Sequence, residues 1–208
     1  MSKIVIGIDE SYTRTGVTVL ENRNIFCMAS VDYKNSKNNS EKRLELKNVL
    51  NSLVHSITKS CKVETKDITV IIERIRTFSG GHLSTQYLIT TGALVATIVD
   101  TFYKYKIPVY SVDTKAWKNA IVGNSKSMKN KYGINPNKYG TILYLRSKGL
   151  LKHIVEPYTG RGSQGVINIK INGKKTPCKI NDDLADSYCI AMYGFLQEHK
   201  QKLKEEKF

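Results

Sequence analysis

Four carboxylates in this 208-residue chain occupy positions with chemical meaning. Asp9 closes the apolar run KIVIGID, and Glu73 closes ITVIIE. An acid at the C-terminal end of a buried strand points toward the crevice where open α/β sheets bind ligands. Adjacent strands lie about 4.8 Å apart, so pairing of these two would let their carboxylates share one ion. Asp183 and Asp186, at i and i+3, open the last helical segment and share one face. Asp182 is the neighbouring candidate, and the spacing favours Asp183. Taken singly, a strand-ending acid is commonly a turn residue, and acids in a first helical turn commonly serve the macrodipole. Gathered together they repel one another unless protonated or neutralised, and Mg²⁺ or Mn²⁺ prefers all-oxygen ligands. Two such ions about 3.5–4 Å apart activate a water and stabilise the leaving oxygen in phosphodiester hydrolysis.

The charge distribution points to the same kind of substrate. The chain carries a net charge of +15, and the excess is concentrated. Residues 114–180 hold fourteen Lys/Arg against a single acid, Glu156, while Trp117, Tyr132, Tyr139, Tyr144 and Tyr158 are interspersed. A basic, aromatic-bearing third of the chain around an acidic hole suits a polyanion, with nucleic acid the expected one. No apolar run approaches the roughly 20 residues of a membrane helix, and MSKIVIGIDE lacks a signal-peptide layout. Cys27, Cys61, Cys178 and Cys189 are scattered without a C-x-x-C pair, which excludes a zinc knuckle or disulfide scaffold and suggests a reducing, cytoplasmic compartment. The histidines at 55, 82, 153 and 199 form no ligand pattern, and His82 sits in the Phe78–Gly81 loop.

The elements that must position the acids follow from periodicity. KIVIGID, TGVTVLE and NIFCMASVDY read as an antiparallel meander, the last two separated by the turn signal Asn22–Arg23–Asn24. Ser40 reads as the N-cap of a helix over about 41–59, with apolar residues at helical spacing. ITVIIE suits a central strand covered on both faces. A helix over about 83–105 follows, then the strand IPVYSV, with Asp113 as N-cap of the next helix and Trp117 as its anchor on the core. Short basic helices are expected over about 115–122 and 136–148, then a hairpin around Asn172–Gly173, then a helix over about 182–197. The organisation expected is a single domain over 1–208. Its additions are a Gly-rich basic insertion at about 156–181 and a charged tail at about 199–208.

IGIDESYTRTGVTVL, VIIER, VYSVDTKAWKNAIVGNSKSMKNK and NDDLADSYCIAMYG, in that order from about residue 4 to 195, resemble the RuvC family of Holliday-junction resolvases. The anchors are the strand-ending acid followed by S-x-x-x-T-G and the D-x-x-D-A/S start of the last helix. The resemblance implies an RNase H-like α/β fold. Its core would be a five-stranded mixed sheet, three antiparallel strands plus two parallel, flanked by helices and carrying a hairpin near 165–180. It implies that Asp9, Glu73, Asp183 and Asp186 bind two Mg²⁺ ions per active site, with Mn²⁺ as substitute, and cut branched DNA. The family's DNA-binding lysines map onto Lys118 and Lys129, with Lys126 in the same basic stretch. A homodimer is implied as well, since symmetric cutting of a four-way junction needs two sites on a two-fold axis. The helix over 83–105 offers Leu88, Gly92, Val95 and Val99, with Ala96 beside them.

Two departures mark a divergent member, such as a phage or viral resolvase. Bacterial members carry an intercalating aromatic three residues after the strand-ending Glu; here that position is Arg76, with Phe78 two further on. Phe78 is placed either to wedge between bases or to rest on the core as a loop aromatic. The second departure is the basic hairpin with Arg161, Lys170, Lys174, Lys175 and Lys179, a candidate DNA clamp. Competing readings are a non-catalytic nucleic-acid binder on this scaffold, an RNA-processing relative, and a sugar-kinase-type ATPase suggested by the GID opening. The ATPase needs a second lobe that 208 residues do not hold.

Overall fold

Strands that are apolar on both sides need cover on both sides, and this requirement organises the chain. The computed structural model describes residues 2–75, 84–123, 140–142, 144–145, 148–154, 165–171, 174–180 and 182–198. Strands β1 (Ile4–Glu10), β2 (Arg14–Glu21) and β3 (Asn24–Asp32) form the expected meander. Asn22 and Arg23 take positive φ of 49° and 68° at the β2–β3 turn, the backbone of a tight primed turn. Helix α1 (Asn39–Cys61) crosses to β4 (Ile68–Glu73), and helix α2 (Thr85–Tyr103) crosses to β5 (Val109–Val112). Both β4 and β5 run parallel to their neighbours, so the sheet order is β3-β2-β1-β4-β5. The expected five-stranded mixed sheet is what forms.

Alternation sorts the core into two layers. Ile4, Ile6 and Ile8 of β1 pack with α1 and α2 on one face, through Leu46, Leu50, Leu94 and Ile98. Val5 of β1 and Ile71 of β4 face the other way, onto α3 (Thr114–Ile121) and α4 (Asp182–Glu198). Asp9 and Glu73 continue this second register and therefore project on the α3/α4 side.

Three local expectations are revised. Asn38, not Ser40, caps α1: its side-chain Oδ1 accepts from the Glu41 N–H at 2.9 Å while the Glu41 carboxylate accepts from Asn38 Nδ2 at 3.3 Å and from the Lys37 N–H at 2.6 Å. That reciprocal box needs an acid three residues after the cap, which Ser40 lacks. The hairpin strands β7 (Gly165–Ile171) and β8 (Lys174–Ile180) gain a third strand, β6 (Leu151–Ile154), antiparallel to β7. At four residues with one charge, LKHI carries too little pattern to announce itself. On α2, Val95 is buried in the core, and the exposed residues are Thr85, Gln86, Ile89, Ala96, Asp100 and Tyr103, with open space beside Gly92. The outward stripe is thus turned from the one named in the sequence. Of the basic segment 136–148, residues 140–142 and 144–145 are helical.

Helix α4 lies unusually close to the sheet. A Cβ on Gly7 would stand 2.1 Å from the Ser187 carbonyl oxygen and 2.4 Å from the Ala191 nitrogen, and one on Gly16 would stand 2.3 Å from the Asp183 carbonyl oxygen. The buried hydroxyls of Thr18 and Ser187 bond across this contact at 2.8 Å. Because the atoms met at Gly7 are largely backbone, a methyl there has to lift the helix. Gly7→Ala is expected to destabilise the fold by about 3 kcal/mol, read as a lowered urea midpoint; an unchanged midpoint would show that α4 is not seated on this glycine.

Candidate active site

Register brings the acids together. Ile8 pairs with Ile72, so Asp9 and Glu73 are the next residues along two adjacent parallel strands, on one face. Asp9 also pairs with Gly16, the residue on which the Asp183 backbone rests. The first turn of α4 is thereby laid beside the end of β1, and Asp186, one turn on, faces the same crevice.

Electrostatics report the convergence. The Asp9 carboxyl is pushed well above the usual carboxylate range, first by burial and then by the charges of Asp186, Glu73, Glu10 and Asp183. Burial, with the Asp182 charge next, moves Asp183 to about 6 despite the opposing pull of Arg14. Asp186 is raised by burial as well, against Lys118 and a hydrogen bond from Thr141. All four sequence-chosen acids thus fall in one crevice, with Asp182 at its margin.

Glu73, Asp183 and Asp186 are each held by a protein side chain. Thr114 Oγ1 and Trp117 Nε1 donate to the two oxygens of Glu73, the indole at 3.0 Å. Arg14 reaches Asp183 at 3.3 Å, and Lys118 Nζ lies 3.5 Å from Asp186. Among the described residues, no three acidic, histidine or cysteine side chains are gathered around one point as ligands of a metal. The crowding is therefore of charge rather than of a closed cage, and the partners explain why: mutually repelling carboxylates turn to the nearest protein cations and donors. In donor chemistry the set fits Mg²⁺ or Mn²⁺, four hard-oxygen groups whose repulsion a dication would relieve.

Lys118 therefore sits inside the acidic site, its ammonium also 4.9 Å from the Trp117 ring. Trp117 is fully buried, and Asp113 caps α3 by accepting from the Lys115 N–H at 2.7 Å, both as the sequence indicates. Lys126, Lys129, Arg76 and Phe78 lie outside the described residues, as do His82 and Arg161; the side chains of the hairpin lysines do too.

Sequence reasoning missed three contributors. Arg14 lies within the quoted S-x-x-x-T-G stretch, but a lone arginine at the start of a strand carries no signal of its own. Thr114 touches Glu73 only because the α3 cap turns it there. Glu10 projects to the opposite face, 8% exposed, with Oε2 buried and unpartnered, and burial raises its carboxyl well above the ordinary value.

A groove of about 730 Å³ opens beside the acids, lined by Ser11, Tyr12, Arg14, Gln86, Tyr87 and Asp183 among others. Burial, followed by the Glu10, Asp9 and Glu73 charges, raises the Tyr87 hydroxyl.

The same fold occurs in known structures. RuvC of T. thermophilus, solved in complex with a Holliday junction substrate, superposes with a TM-score of 0.64 at 14% identity, covering 98% of this chain and 99% of that one. A second structure of Thermus thermophilus RuvC gives a TM-score of 0.59 at 16% identity over the same shares. At such identity the likeness establishes the fold. No protein-family model and no curated protein sequence matches the chain.

The raised acids make stability depend on pH. Asp183 titrates near 3.8 when unfolded and near 6 when folded, so the native state holds its proton more tightly. Its stabilising contribution is complete below about pH 4 and is lost as pH rises through 6. In EDTA, Asp183→Asn is expected to match wild type at pH 4 and to exceed it by on the order of 1–2 kcal/mol at pH 7.5, a few degrees in Tm. A stability gap that does not widen with pH would show that this carboxylate is not held up.

Proposed function

We propose that this protein is a divalent-cation-dependent endonuclease that cuts four-way and related branched DNA. The observation that carries the reading is the convergence of Asp9, Glu73, Asp183 and Asp186 on one crevice of a chain whose net charge is +15. Unused acids near phosphate only weaken nucleic-acid binding, so retaining four in a basic protein argues for chemistry. The RuvC-like fold supports the same substrate class, since one such structure carries a Holliday junction.

In this reading Asp9, Glu73, Asp183 and Asp186 hold two Mg²⁺ ions, with Mn²⁺ as substitute. When bound, the metals supply a nucleophilic water and relieve charge on the leaving oxygen. The protein's own groups do the positioning. Thr114 and Trp117 orient Glu73; α4 presents Asp183 and Asp186 from one rigid face; Lys118 brings positive charge to the phosphate side of Asp186. Lys126, Lys129, Arg76 and Phe78 carry the remaining DNA contacts.

Asp9→Asn is expected to abolish Mg²⁺-dependent cutting of a synthetic four-way junction while binding is kept or tightened, because a buried negative charge near phosphate is removed. Cutting by this variant, or cutting of structured RNA in preference to the junction by the wild type, would overturn the assignment.

Paired cuts across a junction call for a two-fold dimer, and the outward stripe of α2 supports one. Ile89 is 56% and Tyr103 81% exposed, and Ala96 lies on the line between them with Gly92 open beside it and the exposed Asp100 at its edge. Residues 89, 96 and 103 repeat at seven, the seam along which two helices pack. Ala96→Glu is expected to give monomers in sedimentation and single nicks in place of paired cuts. Retention of the dimer would move the interface elsewhere.

A further inference from the structure

Arg14, the first residue of β2 and the cross-strand partner of Asp32, is fixed from several sides. Its carbonyl accepts from the Ser11 N–H at 3.0 Å and from the Ser11 hydroxyl at 2.6 Å, and its own N–H donates to that hydroxyl at 3.2 Å. The preceding residues are tied as well, Thr13 O accepting from the Tyr33 N–H at 3.1 Å and Tyr12 O from Lys42 Nζ at 3.0 Å. From this rigid base the side chain runs between two carboxylates. One terminal nitrogen lies 3.3 Å from Asp183, and the other lies 3.6 Å from Asp32 on β3. The guanidinium is 23% exposed and borders the groove beside the acids.

A guanidinium presents a fixed fork and carries its charge at every working pH. Placed against an oxygen that a dication would use, it has two separable effects. It lowers the cost of keeping Asp183 ionised among other acids, and it repels an arriving cation from the same carboxylate. Asp32 shares the guanidinium and so limits how strongly it binds Asp183.

We propose that Arg14 is a built-in counter-cation of the acidic site, a positioning residue that holds Asp183 and that a divalent metal must displace from it. The inference rests on the two-metal reading above and adds to it an element that sets metal affinity. Lys118 stands against Asp186 in a similar way, but from α3; Arg14 differs in being shared with a second acid outside the crevice.

The test is Mn²⁺ binding to the full chain at low ionic strength, followed by the electron paramagnetic resonance signal of free Mn²⁺. Asp9→Asn serves as the site control, and thermal melts check folding. Arg14→Gln is expected to bind Mn²⁺ about tenfold more tightly than wild type, with the gap closing as salt is raised. Arg14→Lys, which keeps the charge but not the fork, should bind Mn²⁺ more weakly than Arg14→Gln. Asp32→Asn leaves the guanidinium to Asp183 alone and should bind several-fold more weakly, giving an independent reading should Arg14→Gln fail to fold. Equal or weaker binding by a folded Arg14→Gln, or unchanged binding by Asp32→Asn, overturns the counter-cation role while leaving the metal site intact. Wild type binding Mn²⁺ no better than Asp9→Asn overturns both this inference and the two-metal reading.

Discussion

The seating of α4 directly on the backbone of β1 and β2 is the constraint on which the site depends. Gly7 and Gly16 leave nothing between the Ser187, Ala191 and Asp183 backbone and the sheet, and the Thr18–Ser187 hydroxyl bond secures the contact. Aspartate is a short side chain, so it reaches a common crevice only if its helix backbone comes close. A helix held off the sheet by even one methyl layer would carry Asp183 and Asp186 away from Asp9. Farther along, Gly194 lets the Val5 and Ile71 side chains pack against the helix, which extends the close fit along α4.

Crowding acids has an electrostatic cost that the surroundings share out. The carboxyls of Asp9, Asp183 and Asp186 are all raised by burial before any neighbour is counted. Each partner offsetting that cost also ties two elements together. Lys118 links α3 to α4, Arg14 links the start of β2 to α4, and Trp117 with Thr114 links α3 to the end of β4. The Asp113 cap sets the phase of α3, and that phase turns both Thr114 and Trp117 toward Glu73.

The opposite layer steadies the same corner from behind. The Tyr33 hydroxyl and Thr15 Oγ1 share a buried bond at 2.8 Å, and the buried Lys42 ammonium lies 3.9 Å from the Tyr12 ring. These contacts hold the β1–β2 turn, and with it Arg14, from the side of the sheet that the acids do not use.

The sequence by itself determined the five-stranded mixed sheet and singled out the acids that the fold gathers. Apolar alternation in β1, the continuous run of β4 and the i, i+3 pair at the start of α4 are local signals, and local signals survive without a structure. It also placed the Asp113 cap and the burial of Trp117, each set by short-range helix geometry. What only the tertiary structure decided was who partners whom. Arg14 meets Asp183 across 169 positions of chain and Trp117 meets Glu73 across 44, and no local pattern encodes such a meeting. The same holds for Lys118, read from the sequence as a DNA contact and found against Asp186, and for the phase of α2, where two candidate stripes differ by one residue. Partner choice depends on how closely layers approach and how helices rotate on the sheet. Those are properties of packing, settled by glycines whose significance appears only when another backbone lies over them.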